Sequence, residues 1–147
     1  MVAAIRSHAI DLPLFFHVLG AIVLFGATTT TLALATASRR GQNLVALARG
    51  SLGISLLCAL PAWVVLFVFG SATKSKEHLP SGLNWVDVPS AIAGVGLVVL
   101  LASTGAAFAW SRHPQGTWQP RAVSLLSAAY LVALAFAWWV MTAKPGL

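Results

Sequence analysis

Charge is what this sequence has least of. Only 8% of its 147 residues are Asp, Glu, Lys or Arg, and the acids number three, Asp11, Glu77 and Asp87. Soluble domains carry about a quarter charged residues, because charge keeps their surfaces wet. A chain so poor in charge cannot cover itself in water, so lipid must solvate most of its surface. Cysteine is almost absent too. Cys58 stands alone, which excludes an internal disulfide and any metal cage built from cysteine only. Inside an apolar run it reads as a small buried apolar side chain. There is no nucleophile motif, no phosphate loop and no glycine-rich nucleotide fingerprint. Gly94 and Gly96 fall in the middle of an apolar run and read as a packing feature.

What the sequence does have is apolar length. Hydrophobic residues make up 59% of the chain and the mean hydropathy is +0.87. Four charge-free stretches stand out, Leu12 to Ser38, Gly50 to Thr73, Val88 to Ser111 and Ala122 to Ala143. A bilayer core about 30 Å thick needs about 20 residues of helix. Only a helix satisfies every backbone group within one segment, and these runs lack the alternation of barrel strands. The expected fold is all-α, a single integral membrane domain over residues 1–147. It is a four-transmembrane-helix up-down bundle, with helices at about 12–37, 50–71, 88–111 and 121–143.

Punctuation refines the ends. Pro13 and Pro89 suit first helical turns, and Asp87 suits the positive end of the third helix. Gly70 and Pro145-Gly146 are expected to close the second and fourth helices. Pro61 lies inside the second helix and removes the hydrogen bond to the Leu57 carbonyl, which predicts a kink there. A cleaved signal peptide ending at Ala35-Thr36-Ala37 is the competing reading of residues 1–37. The long apolar run, Asp11 in the leader and the Arg39-Arg40 stop argue against it. Short matches between the helix pairs, Ala37-Ser38-Arg39 with Trp110-Ser111-Arg112 and Pro61-Ala62-Trp63 with Phe136-Ala137-Trp138, hint at two similar hairpins.

Nine basic residues outnumber the acids, and they sit in the gaps between apolar runs. That placement orients helices in a bilayer, so nucleic acid is not an expected partner. Arg39, Arg40, Arg49, Arg112 and Arg121 occupy two short connections. Arg6, Lys74, Lys76 and Lys144 share the other side with all three acids. Short loops carry the positive-inside signal, so both termini are expected outside the cell's inner (plasma) membrane. Trp85, Trp138 and Trp139 would form the outer aromatic belt, and Trp110 and Trp118 the inner one.

Small residues mark helix interfaces in lipid. On the first helix, Gly20, Ala21, Thr28, Thr31 and Ala35 share a face with His17. The fourth offers Ala129, Ala133 and Ala137; the third offers Ala102 with Ala106 and Ser103 with Ala107. Hydroxyls of Thr28 to Thr31 are expected to bond their own helix carbonyls.

His17 is the candidate site residue, an ionisable group at membrane depth. It either bonds a partner, such as Asp11, Tyr130 or a water, or serves as a proton-handling group or haem ligand. A haem b site needs two axial ligands, and Met141, at comparable depth in the fourth helix, is the candidate second, or else His17 of another copy. Glu77, His78 and Asp87, with His8 or Asp11, share no metal-ligand spacing. The leading functional expectation is a non-enzymatic membrane scaffold or accessory subunit that assembles as a homo-oligomer or with a membrane partner. A haem-binding electron-transfer protein is the alternative, and a small oligomeric channel lined by Thr28 to Thr31 or by Ser103 and Thr104 is a third.

Several segments carry a resemblance: His17-Val18-Leu19-Gly20-Ala21, Leu60-Pro61-Ala62-Trp63, Ser75-Lys76-Glu77 with Trp85-Val86-Asp87, and Met141-Thr142-Ala143-Lys144-Pro145. Together they resemble a group of uncharacterised bacterial four-helix integral membrane proteins. More distantly, the first helix resembles that of CopD-type copper-resistance membrane domains, whose opening His precedes small residues. That likeness implies a copper or haem role for His17. The further in-membrane histidines of that set have no counterpart in this chain.

Overall fold

The computed structural model describes residues 8–41, 43–76 and 84–143, with only the backbone of 8–11, 76, 84 and 85. It consists of α1 (His8–Ala37), a 3-10 turn (Ser38–Arg40), α2 (Leu44–Ile54), a π turn (Ser55–Ala59), α3 (Leu60–Lys76), α4 (Asn84–Arg112) and α5 (Trp118–Ala143). The protein is an all-α bundle of four helices able to span a membrane, Leu12–Arg40, Leu44–Ser75, Val86–Arg112 and Trp118–Ala143. It is therefore a multi-pass membrane protein. Lys74, Lys76 and Asp87 lie at the end of the bundle where α1 begins and α5 finishes. Arg39, Arg40, Arg49, Arg112 and Arg121 lie at the opposite, arginine-bearing end.

Every span starts or stops beyond the apolar run that predicted it. Helix α1 begins at His8 and α4 at Asn84, so Pro13 and Pro89 are interior prolines and not first-turn ones. Each lies in the sixth position of its helix, where its missing N–H frees one carbonyl near the bundle end. The second span starts at Leu44, six residues ahead of Gly50 and with Arg49 inside it, and runs through Gly70 to Lys76. Trp118 opens α5 ahead of Arg121. Charge-free runs measure hydrocarbon, whereas helices continue into the headgroup layer where long basic side chains reach water.

Pro61 does disturb its helix, one turn upstream. The residues before it form a π turn in which the Leu60 N–H donates to the Ser55 carbonyl. Widening the turn relieves the clash between the proline ring and the preceding carbonyl. The extra residue also rotates everything after it, which sets the face that α3 turns toward α1.

In cross-section the spans form a ring in chain order. Helix α1 packs between the second span and α5, α5 packs along α4, and α4 meets α2 at the arginine-bearing end. Helices α3 and α4 touch little. Among the described residues, the Trp63 indole N–H donates across them to the Ala93 carbonyl at 3.0 Å, and Lys74 pairs with Asp87 at 3.1 Å.

The tightest crossing is at Gly20. A side-chain carbon there would meet Leu66 N at 2.9 Å, the Ala62 carbonyl at 3.1 Å and Leu66 Cα at 3.2 Å, all backbone atoms. Two backbones in direct contact give the dispersion energy that drives helix association where lipid removes the hydrophobic force. The predicted face of α1 holds at Gly20, Thr28, Thr31 and Ala35, which are buried, while Ala21 is only half-buried. The predicted stripe of α5 does not. Ala137 is buried but Ala129 is exposed, and the inward line instead runs through Val123, Ser127, Tyr130 and Val140. On α4, Ser103, Ala106 and Ala107 are buried, whereas Ala102 faces out. Cys58, expected to be buried, is exposed on the apolar outside of the π turn.

The tryptophans divide. Trp138 and Trp139 at one end and Trp118 at the other are exposed, as an aromatic belt requires. Trp110 is fully buried and belongs to the core. The internal repeat fails at its own tryptophans, since Trp63 bonds a neighbouring helix while Trp138 faces outward.

Candidate functional site

His17 is half-buried at the crossing of α1 and α3. Its Nδ1 lies 2.8 Å from the Leu66 carbonyl oxygen, which can only accept, so Nδ1 carries the donated proton. Leu66 O also belongs to the backbone ladder of α3, and its second lone pair takes the histidine. The ring reaches it because residue 70 is glycine: a Cβ at Gly70 would fall 2.8 Å from Nδ1 and 2.9 Å from Cε1. Gly70, expected to end the helix, is therefore a seat for the imidazole inside it. One residue earlier on each helix, Phe16 stacks on Phe69 with centroids 4.9 Å apart, fixing the rotation of α1 against α3.

This arrangement corrects the expected partners of His17. Tyr130 does not hold it; a backbone carbonyl does, and the side chain of Asp11 lies outside the described residues. In the neutral ring the Leu66 bond leaves the lone pair on Nε2, the tautomer that a metal- or haem-ligating histidine adopts when its other nitrogen is anchored. Met141 is 38% exposed near the end of α5. The hydrogen bond and the glycine seat of His17 are both on α3.

A second polar locus lies mid-bundle. Thr28, Thr31, Ser55, Ser103, Ser127 and Tyr130 surround a cavity of about 10 Å³. Thr28 and Ser55 are spent on their own helices, donating to Leu24 and Ser51 carbonyls at 2.8 and 2.9 Å. The Thr31 and Tyr130 hydroxyls are buried with no hydrogen-bond partner. Thr29 and Thr30 point outward and bond the Phe25 and Gly26 carbonyls, so the threonine run splits between core and lipid. The sequence singled out Thr28, Thr31, Ser103 and Tyr130 separately but not Ser55 or Ser127, because isolated serines in apolar helices carry no spacing signal.

The third locus is a cavity of about 660 Å³ at the arginine-bearing end, walled by Arg39, Arg121 and Trp110 among others. Among the described residues no three His, Cys, Asp or Glu side chains converge as a metal site. Glu77 and His78 lie outside the described residues.

No protein family, curated protein or solved structure matches this chain. The likeness to CopD-type domains thus has no support beyond the residues that suggested it.

Proposed function

We propose that the protein is a small non-enzymatic membrane subunit that assembles with further copies of itself through the lipid-facing side of α1. The observation that carries this reading is the composition of that side. Gly26, Thr29, Thr30, Ala33 and Thr36 are all exposed, at helical spacings of three and four. A Cβ at Gly26 would meet nothing within 4 Å, so the groove there is open to a neighbour. The hydroxyls of this face already bond their own carbonyls, so it can be covered without stranding a donor. Small residues that admit a second backbone are what drives association in lipid. Much of the remaining lipid surface is built from large side chains such as Leu57, Val95, Leu125 and Val132, and the exposed Gly94 and Gly105 of α4 stand apart from one another as single openings.

The test is the mass of the purified protein in detergent and in nanodiscs. Wild type should exceed the monomer, and Gly26→Leu with Ala33→Leu should return it to the monomer without changing its unfolding. A wild type that stays strictly monomeric in both media would sink this reading.

A second reading rests on the His17 tautomer. With Nδ1 anchored, Nε2 can ligate haem b, with Met141 or His17 of a second copy as the other ligand, giving an electron-transfer centre. Absorption spectra of protein from haem-replete cells decide it. A Soret band lost in His17→Ala supports ligation; no Soret band in wild type removes it.

A further inference from the structure

At the arginine-bearing end, α1, α2, α4 and α5 enclose the 660 Å³ cavity between the Ser38–Arg40 turn and the loop that enters α5. Trp110 forms part of its wall. Its side chain is 0% exposed and its indole N–H has no acceptor. A buried donor left unpaired is costly, so an orphaned N–H in the wall of a cavity calls for an acceptor there.

The other groups around the cavity say what kind of acceptor. Arg39 and Arg121 both line it, and neither has an ion-pair partner among the described residues. Asp11 and Asp87 stand on helices at the opposite end of the bundle, and Glu77 lies outside the described residues. Ser38 and Ser124 also line the cavity, but their protons go to the Ala35 and Arg121 carbonyls at 2.7 and 2.9 Å. The donors left for a ligand are therefore two guanidiniums, one indole N–H, the Thr117 hydroxyl and the Gln115 amide. Helix α5 begins at Trp118, directly after Thr117, and adds the positive end of its dipole. Two positive charges with no carboxylate partner among the described residues, and donors in excess of acceptors, select an oxyanion with several acceptor atoms.

We infer that this cavity binds a phosphate group, contacted by Arg39, Arg121 and the Trp110 indole. The chemistry is shared by an anionic phospholipid headgroup and by a free phosphate. The wall next to the guanidiniums is apolar, with Leu125 71% exposed toward lipid, so a lipid's chains have a surface to follow.

Native mass spectrometry of the full chain in detergent tests both sources. With phosphatidylglycerol added, wild type should retain one lipid per chain in preference to phosphatidylcholine. The Arg39→Gln/Arg121→Gln variant should bind it about tenfold more weakly or worse. Trp110→Phe should weaken it several-fold, whereas Trp139→Phe at the other end should not. Thermal unfolding of each variant without ligand identifies any loss that is merely misfolding, and the exposed arginine pair is the change least able to cause one. In the second arm, millimolar inorganic phosphate raises the unfolding temperature of wild type but not of the double variant if the source is free phosphate. Phosphatidylglycerol retention unchanged by the arginine and tryptophan substitutions, together with no phosphate-dependent difference between wild type and the double variant, overturns the inference.

Discussion

The phenol ring of Tyr130 occupies the space that a side chain at Gly96 would need. A Cβ on residue 96 would come within 2.5 Å of Tyr130 Cε2 and 3.1 Å of its hydroxyl oxygen. The lone tyrosine of the chain is thus keyed to one glycine of α4, and the pair sets the register of α4 against α5. Gly96→Ala should destabilise the bundle by about 1–3 kcal/mol through overpacking. The measurement is equilibrium unfolding in mixed micelles, run as a double-mutant cycle with Tyr130→Leu. Coupling between the two sites is expected, with the glycine substitution costing less once the ring is gone.

Gly20 and Gly26 make a contrast along one helix. Gly20 meets the backbone of α3, which cannot rotate away, so Gly20→Val must push α1 and α3 apart and should cost on the order of 1–3 kcal/mol. Gly26 meets nothing, and Gly26→Ala should leave stability unchanged or slightly raised, since alanine is the better helix former. Equal losses at the two positions, measured by the same unfolding assay, would contradict the described crossing.

Much of the bundle was legible because charge-free length measures hydrocarbon. The four spans follow from that alone, as does the inward face of α1, whose small residues lie on one side of a helix. What was not legible depends on the azimuth of one helix against another. Gly70 looks like a helix stop in sequence and proves to be a socket for His17 only because α1 brings an imidazole to it. Trp110 has the composition and position of a belt residue, yet the side of α4 on which it lies is turned inward. The π turn rotates α3 by a residue, and no local pattern around Pro61 specifies which of the available repairs the helix adopts. The candidate site was half legible: His17 was singled out by its chemistry, but its partner is a backbone oxygen, and every residue has one.

Lys74 and Asp87 tie the loosely packed ends of α3 and α4. Both are partly exposed, so the pair contributes at most about 1 kcal/mol and less as salt rises. Lys74→Met should lower stability slightly at low ionic strength and by a vanishing amount at high salt. A large, salt-independent loss would mean that the pair is shielded from water.

The His17 tautomer can be read directly. In the neutral ring, nitrogen chemical shifts should show a protonated Nδ1 and an unprotonated Nε2, because the Leu66 carbonyl accepts from Nδ1. Gly70→Ala displaces the ring from its seat and should scramble that signature, with a loss of stability near that of one hydrogen bond, about 1 kcal/mol, plus repacking. An unchanged spectrum in Gly70→Ala would show that the ring does not rest on residue 70.

The mid-bundle hydroxyls supply the last prediction. Thr31 and Tyr130 face one cavity, both buried, and neither hydroxyl has a partner within the chain. Two such groups in a membrane interior would together cost several kcal/mol if left dry. The cavity, at about 10 Å³, is close to the smallest space that holds one water, and its polar walls offer the two to four partners a buried water needs. The expected state is one trapped water bridging the two hydroxyls. Tyr130→Phe or Thr31→Val alone would then strip that water of a partner and destabilise by about 1 kcal/mol each. The double substitution removes the need for the water altogether, so its cost should fall below the sum of the two singles. Strictly additive losses would mean that the two hydroxyls do not share a partner. A gain in stability from either single substitution would mean that the cavity is dry, because the missing hydroxyl would then have relieved a penalty and not broken a bond.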